Sequence, residues 1–307
     1  MNSPPLMVGL GEILWDVLSS GKVLGGAPTN FAYICSALGN RGVAASRLGN
    51  DPLGREASQQ LHLLGLTDEY VQLDNELPTG TAEVFIDAAG QPTFTIHESV
   101  AWDSLEWTFA WQELSARADI ICFGSLAQRT ASSAETIDRF LRNSKPDALL
   151  IFDANLRQSY YDRAIITRSL EHADILKLSD QELPIVASLL GLGTVNETEL
   201  ALSLIRDFQL HLVCITRADK GSLLLTESER VSHPGFAVEV VDAVGAGDAF
   251  TACLAHCFVR GYSLEKIGTL ANRFASWVAT QQGATPAVEP AQVQGLLQSA
   301  RPSESKS

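Results

Sequence analysis

The sequence predicts an α/β fold in which helices wrap a mostly parallel central sheet and a small β-sheet lid stands over one end. Three observations carry that prediction. Short apolar runs recur along the chain, helical stretches separate them, and two alternating segments break the rhythm. The runs are LMVGLG from Leu6, GVAASRLG from Gly42, ADIICFG from Ala118, ALLIFDAN from Ala148, ADILKLS from Ala173 and LHLVCITR from Leu210. Being short and nearly continuous in apolar character, they fit strands buried on both faces. Helical patterns at 27–39, 51–64, 131–144, 163–172 and 180–190 lie between them, and 246–260, 263–283 and 289–300 make the C-terminal third helical. Alternation of this kind is βαβ winding, which places ligands beyond the carboxyl ends of the strands.

The two interruptions are 13–26 and 79–99. The second alternates polar and apolar residues around Gly90 and Pro92, which is hairpin chemistry. The first reads as another short strand pair. Together they predict a minor sheet inserted as a lid into one domain spanning 1–307, the alternative being an edge extension of the main sheet. The tail RPSESKS is polar and is expected to fray.

Composition narrows the function. A 46% hydrophobic fraction supports a large core, and a net charge of −14 disfavours binding to nucleic acid. An acidic chain that handles phosphate must gather positive character locally, from backbone N–H groups, a metal ion and a few basic side chains. No run of eighteen apolar residues exists to span a membrane, and MNSPPLMVGLGEILWDV lacks the basic start of a secretory signal. The five cysteines, Cys35, Cys122, Cys214, Cys253 and Cys257, are odd in number, and three lie inside apolar runs. That pattern reads as reduced, buried thiols in a cytoplasmic protein. Cys253 and Cys257 share a helix face beside His256, where packing is the better reading than a metal site.

The strongest chemical signal is VVDAVGAGDAFTACLAHCF at 240–258. A β-branched run ends at Asp242, the small residues Gly245, Ala246 and Gly247 follow, and Asp248 opens an apolar helix. Glycines at a strand-to-helix junction let backbone approach a ligand, and the helix start supplies free N–H groups and a positive dipole end. A carboxylate there would repel phosphate if the loop only bound it. It makes sense as the base that takes a proton from an attacking hydroxyl. The plainer role is a helix cap.

Gly245-Ala246-Gly247-Asp248, preceded by Asp242, resembles the second signature of ribokinase/PfkB carbohydrate kinases. Gly25-Gly26-Ala27-Pro28-Thr29-Asn30 resembles the first, and GEILWD, FDANLR (152–157) and KLSDQE (177–182) are similar to fructokinase-like members in order and spacing. The resemblance covers essentially the whole chain and implies a ribokinase-like three-layer α/β/α sandwich. It implies a phosphotransferase in which Asp248 is the base and Gly245, Ala246 and Gly247 form the anion hole for the γ-phosphoryl of ATP. Asp16, Gly25, Gly26, Asn30 and Arg157 become the sugar-contact candidates; an arginine could equally face a phosphate or carboxylate.

The nucleotide end is less sharply written. The resemblance assigns it Lys177, Gly247 and Thr216-Arg217-Ala218-Asp219-Lys220-Gly221, with Thr216, Asp219 and Gly221 as contacts and Ala218 where glycine is usual. Asn272 would border the adenine, with Ser276 one turn further. Glu182 would order Mg2+ through water, with Ser179 replacing the usual asparagine. Asp242 and Val244 would serve a monovalent cation, K+, near Gly283, although Ala287 stands where a hydroxyl often helps. The resemblance also allows a homodimer through the lid.

Other readings fare worse. G-x-G-x-x-G fails at Leu14 and at Phe250, and no Walker motif exists. A catalytically idle sensor should have lost its base. Fructose is the leading acceptor. For a keto-deoxy sugar acid the lid offers little positive charge, with Lys22 alone in 13–26 and neither Lys nor Arg in 79–99. A nucleoside acceptor would need stacking partners, for which Phe94, Trp102 and Trp107 are available.

Overall fold

The computed structural model describes residues 3–18, 21–86, 92–193 and 196–298. Its strands are β1 (Leu6–Leu10), β2 (Leu14–Leu18), β3 (Gly21–Gly25), β4 (Arg41–Gly49), β5 (Val71–Asp74), β6 (Gly80–Ile86) and β7 (Pro92–Ile96). After them come β8 (Ile120–Phe123), β9 (Leu149–Asp153), β10 (Ile175–Ser179), β11 (Leu212–Thr216), β12 (Ser222–Leu225) and β13 (Arg230–His233).

Nine strands form the main sheet in the order β13-β12-β11-β10-β9-β8-β1-β4-β5. Pairing is parallel from β11 to β5, and every apolar run singled out in the sequence is one of these strands. Strand β1 shows why those runs are continuous. Leu6, Val8 and Leu10 enter one core with Trp111 and Phe140, while Met7 enters the other with Phe31 and Phe274. Both faces are covered, so alternation disappears from the sequence. Gly9 takes no side chain because a Cβ would lie 2.1 Å from the Pro28 carbonyl. Helix Ala27–Ala37 therefore lies against the sheet and carries the Gly25–Asn30 segment to its carboxyl edge.

Winding reverses at β1, which has β4 on one side and β8 on the other. The crevice between β1 and β8 is the switch point where parallel sheets bind ligands. Glu12 and Ser125 follow the two strands that border it, and Asp153 ends the next strand, β9.

The minor sheet is separate, in the order β3-β2-β6-β7. Two antiparallel hairpins are joined by parallel pairing of β2 with β6, Leu14 opposite Gly80 and Trp15 opposite Thr81. This excludes an edge extension. The turn at Gly90 and the RPSESKS tail lie outside the described residues.

Two local expectations need correction, and one element is new. The β-branched run before Asp242 forms no strand, so the junction into helix Ala246–Phe258 is a loop. Val240 and Val241 are 60% and 64% exposed there and find no strand partner. Helix Leu264–Ala279 stops short of 283 because the backbone N–H groups of Val241 and Asp242 donate to the Ala279 carbonyl. Finally, β12 and β13 close the sheet edge as an antiparallel hairpin the sequence did not announce.

All five cysteines are free and buried. Among the described residues no helix is long and apolar enough to cross a membrane.

Candidate active site

Asp248 sits in the first turn of helix Ala246–Phe258. The residue before that helix, Gly245, has φ 77°, and a Cβ on it would fall 2.4 Å from the Ala284 side chain. Only glycine fits, which explains the small-residue approach. Asn30 Nδ2 donates to Asp248 Oδ2 at 2.8 Å, fixing the carboxylate from the first helix. Burial pushes Asp248 up to about 6, and Asp153 pushes it the same way. Asn30, Lys177 and Arg157 pull it down.

A cavity of about 440 Å³ opens in front of Asp248. Asp16, Gly26, Asn30, Arg157, Lys177, Asp242, Val244, Gly245 and Gly247 all line it, so the structure brings most of the sequence-predicted residues together. Leu14, Ala82 and Ile96 of the minor sheet supply an apolar wall. Gly25 stands behind Asp16, where a Cβ would come within 2.4 Å of Asp16 Oδ2. Burial raises Asp16 to about 6 against the pull of Arg157. Arg157 is exposed. Unlike Arg47, Arg129, Arg142 and Arg217, it has no ion pair among the described residues.

Several predicted residues lie elsewhere or do other work. Asn272 is buried, and its Nδ2 donates to Ser222 Oγ and the Gly268 carbonyl, both at 2.7 Å. The amide nitrogen thereby ties its helix to β12. Ser276 lies one turn further along, half-buried. Glu182 accepts from Leu156 N–H and Ser179 N–H at 2.7 Å and from Ser179 Oγ at 2.9 Å. Ser179 Oγ accepts from Glu182 N–H in return, so Ser179 and Glu182 form a reciprocal cap at the start of helix Glu182–Leu190. That carboxylate retains only its remaining lone pairs for a water-mediated Mg2+ shell. Asp242 accepts from the N–H groups of Val244 and Gly283 at 3.0 and 3.1 Å, which gathers the three residues named for a monovalent cation.

The Thr216–Gly221 segment keeps its turn. Ala218 adopts φ 50°, the left-handed conformation glycine would take freely, so the alanine changes the cost and not the path. Gly221, with φ 80°, leaves room for the His233 carbonyl, 2.0 Å from where a Cβ would be. Thr216 Oγ1 donates to the Leu178 carbonyl at 3.4 Å, and Asp219 is exposed. Trp102 is buried under Arg129, and Trp107 packs edge-on against Phe140, so neither is free to stack on a nucleoside. The side chain of Phe94 lies outside the described residues.

Sequence reasoning missed three residues. Glu12 is 4% exposed and lines the cavity, where burial raises it to about 7. Asp153 and Thr251 border a smaller cavity that also touches Glu12 and Asp248. Asp153 had a readable signal: a carboxylate ending a fully apolar strand, on the edge where such sheets bind ligands.

A carboxylate in the first turn of a helix, a glycine-built approach to it and a pocket rich in carboxylate and amide groups are what a carbohydrate kinase requires. The chain belongs to the pfkB family of carbohydrate kinases, whose family model matches residues 11–291. It is 30% identical to the probable fructokinase-5 of Arabidopsis thaliana, over 97% of this chain and 99% of the relative. A Vibrio cholerae fructokinase solved with fructose, ADP and potassium ion superposes with TM-score 0.81 at 25% identity, covering 97% of this chain and 99% of that one. The 2-dehydro-3-deoxygluconokinase of Thermotoga maritima reaches TM-score 0.84 at 18% identity, covering 95% and 99%, a likeness of fold alone.

Proposed function

We propose that this kinase transfers the γ-phosphoryl of MgATP to fructose, with Asp248 as the base. The observation that carries this reading is Asp248 itself. Asn30 holds it at 2.8 Å, it stands at a glycine-built helix start, and it opens into the cavity lined by Asp16 and Asn30. Asp16 and Asn30 present acceptors and donors to neighbouring hydroxyls, and the apolar wall of the minor sheet covers the sugar's carbon face. The minor sheet serves as a lid whose closure excludes water and limits ATP hydrolysis.

In the reaction, the acceptor hydroxyl loses its proton to Asp248 as its oxygen attacks the γ-phosphoryl in line. The N–H groups at Gly245–Gly247 face the charge that develops on the phosphoryl oxygens. Glu182 would hold Mg2+ through water, and the ion would supply positive charge for the phosphates. Asp242 and Val244 suit a K+ site beside the anion loop, which would hold that loop in shape. A homodimer through the lid is compatible with Val17 and Val23, which are 38% and 44% exposed there.

One observation favours a second acceptor. Arg157, exposed at the cavity and without an ion pair among the described residues, suits a carboxylate, as in a 2-keto-3-deoxy sugar acid. ADP release with MgATP should be measured on fructose, ribose, 2-keto-3-deoxygluconate and adenosine, with and without K+. The fructose reading expects the highest kcat/KM on fructose and only a modest loss in Arg157→Ala. A preference for the acid, lost at least 100-fold in Arg157→Ala, would replace it.

A further inference from the structure

Beneath the anion loop Lys177, named above for the nucleotide, forms a buried ion pair with Asp153, to which no role has been given. Lys177 Nζ is 3.0 and 3.1 Å from the two oxygens of Asp153, and both side chains are less than a tenth exposed. Thr251 Oγ1 lies 2.8 Å from Asp153 Oδ2 and 3.0 Å from the Gly247 carbonyl. One hydroxyl thus ties the carboxylate to the helix turn that carries Asp248. Lys177 approaches the same turn from β10: a Cβ on Gly247 would sit 3.1 Å from its Nζ. Lys177, Gly245, Gly247 and Asp248 border one cavity.

We infer that Asp153 is a positioning residue that holds Lys177 against the first turn of helix Ala246–Phe258, as a fixed positive charge for the phosphoryl group in transfer. The inference rests on Asp248 as the base. An ammonium on a four-carbon stem is a mobile point charge, and it stabilises a transition state only where it is fixed before the reaction. Asp153 fixes it from one side and Thr251 fixes Asp153. The chain needs such a device because its other cavity-lining charges are mostly carboxylates, namely Glu12, Asp16, Asp242 and Asp248.

The charges also set one another. Burial works against the Lys177 ammonium, but Asp153, Glu182 and Asp248 outweigh it and hold Lys177 above its usual range. Burial pushes Asp153 up, while Lys177 and Thr251 donate to its oxygens and favour the ionised form. The charged groups facing Asp248 are Asp153, Lys177, Arg157 and Glu12. Removing the Asp153 charge should therefore lower the acid limb of kcat/KM, a readout that loss of packing would not move.

The test is a double-mutant cycle on the full chain with Asp153→Asn, Lys177→Met and both together. Lys177→Met should reduce kcat by about 10²–10³-fold, the scale of losing one transition-state donor. Asp153→Asn should reduce kcat by about 100-fold on the same scale with little change in sugar KM, and the pair should be no worse than Lys177→Met alone. A calorimetric arm needs no acceptor: the preference for MgATP over MgADP should fall equally in both single variants. Thr251→Val, close in volume, covers the case in which a charge variant fails to fold. It should lose activity that Thr251→Ser recovers. Three results would overturn the inference: Asp153→Asn within threefold of wild type, losses that multiply in the double variant, or an unchanged ATP-over-ADP preference. Wild-type silence on every sugar, with that nucleotide preference intact in wild type and lost in the variants, would instead count against the acceptor reading and support the inference.

Discussion

At the end of the cavity proposed for the acceptor, Asp16, Asn30, Arg157 and Asp248 bring side chains together from four separate parts of the chain. At the segment proposed for the nucleotide, Thr216–Gly221, work is left to backbone shape. Ala218 holds a left-handed φ of 50°, and Gly221 makes room for a carbonyl. Sugar hydroxyls need particular donors and acceptors, so the residue types themselves are constrained. Phosphates and bases can be met by N–H groups and by form, and more than one sequence can supply a form. On the proposed assignment, the acceptor end is written in residue identities and the nucleotide end mostly in conformation.

The sharpest way to break that contrast is to remove the base. Asp248→Asn should lower kcat by about 10²–10⁴-fold, with sugar and ATP binding retained, as read by single-turnover ADP release and calorimetry. Retention of near-normal turnover would take chemistry away from this end. The next effect is on stability. Folding raises Glu12 from 4.5 to about 7, so the folded state keeps a proton that the unfolded chain gives up. Stability should fall as pH rises between those values, by up to about 3 kcal/mol. Glu12→Gln should accordingly stabilise the protein at pH 8 and change little at pH 4 in urea unfolding. Asn272→Ala tests the far side. It should cost about 1–3 kcal/mol by stranding Ser222 in the core, while KM for ATP stays within about twofold of wild type. A large rise in that KM would return Asn272 to the nucleotide. Smallest of all, Ala218→Gly should relieve about 1 kcal/mol of backbone strain, partly offset by the freer unfolded chain. Its urea midpoint should rise slightly with kinetics unchanged.

Much of this was legible because burial leaves a coarse mark. The parallel strands announce themselves by apolar runs closed on both faces, and Gly245-Ala246-Gly247-Asp248 pairs small residues with a carboxylate that a loop merely binding phosphate would not carry. Asp16 and Asn30 were named through the family resemblance, on the GEILWD and Gly25–Asn30 motifs, and both line the cavity. The misreadings have physical causes as well. Val240 and Val241 have strand propensity, but propensity forms no strand without a neighbouring edge, and here the segment lies over a helix end. Strand β13, four residues long and half-exposed, carries too little pattern to stand out from a loop. Asn272 and Glu182 are polar residues of the expected type in the expected order. Whether such an amide or carboxylate faces a ligand or its own backbone depends on a rotation that sequence does not record. Asp153 was readable at its strand end, but its pairing with Lys177 was not, because pairs between strands are invisible until the register is known.

The account stands or falls on an ionised Asp248 taking the acceptor's proton. The measurement that tests this most directly is the pH dependence of kcat/KM, from pH 5 to 9, on the best acceptor. Wild type should lose activity as pH falls through about 6, where burial and Asp153 have set that carboxyl. Asp248→Asn, at its residual rate, should lack that limb. An acid limb that persists unchanged in Asp248→Asn would assign the titration to another group and contradict the proposed mechanism.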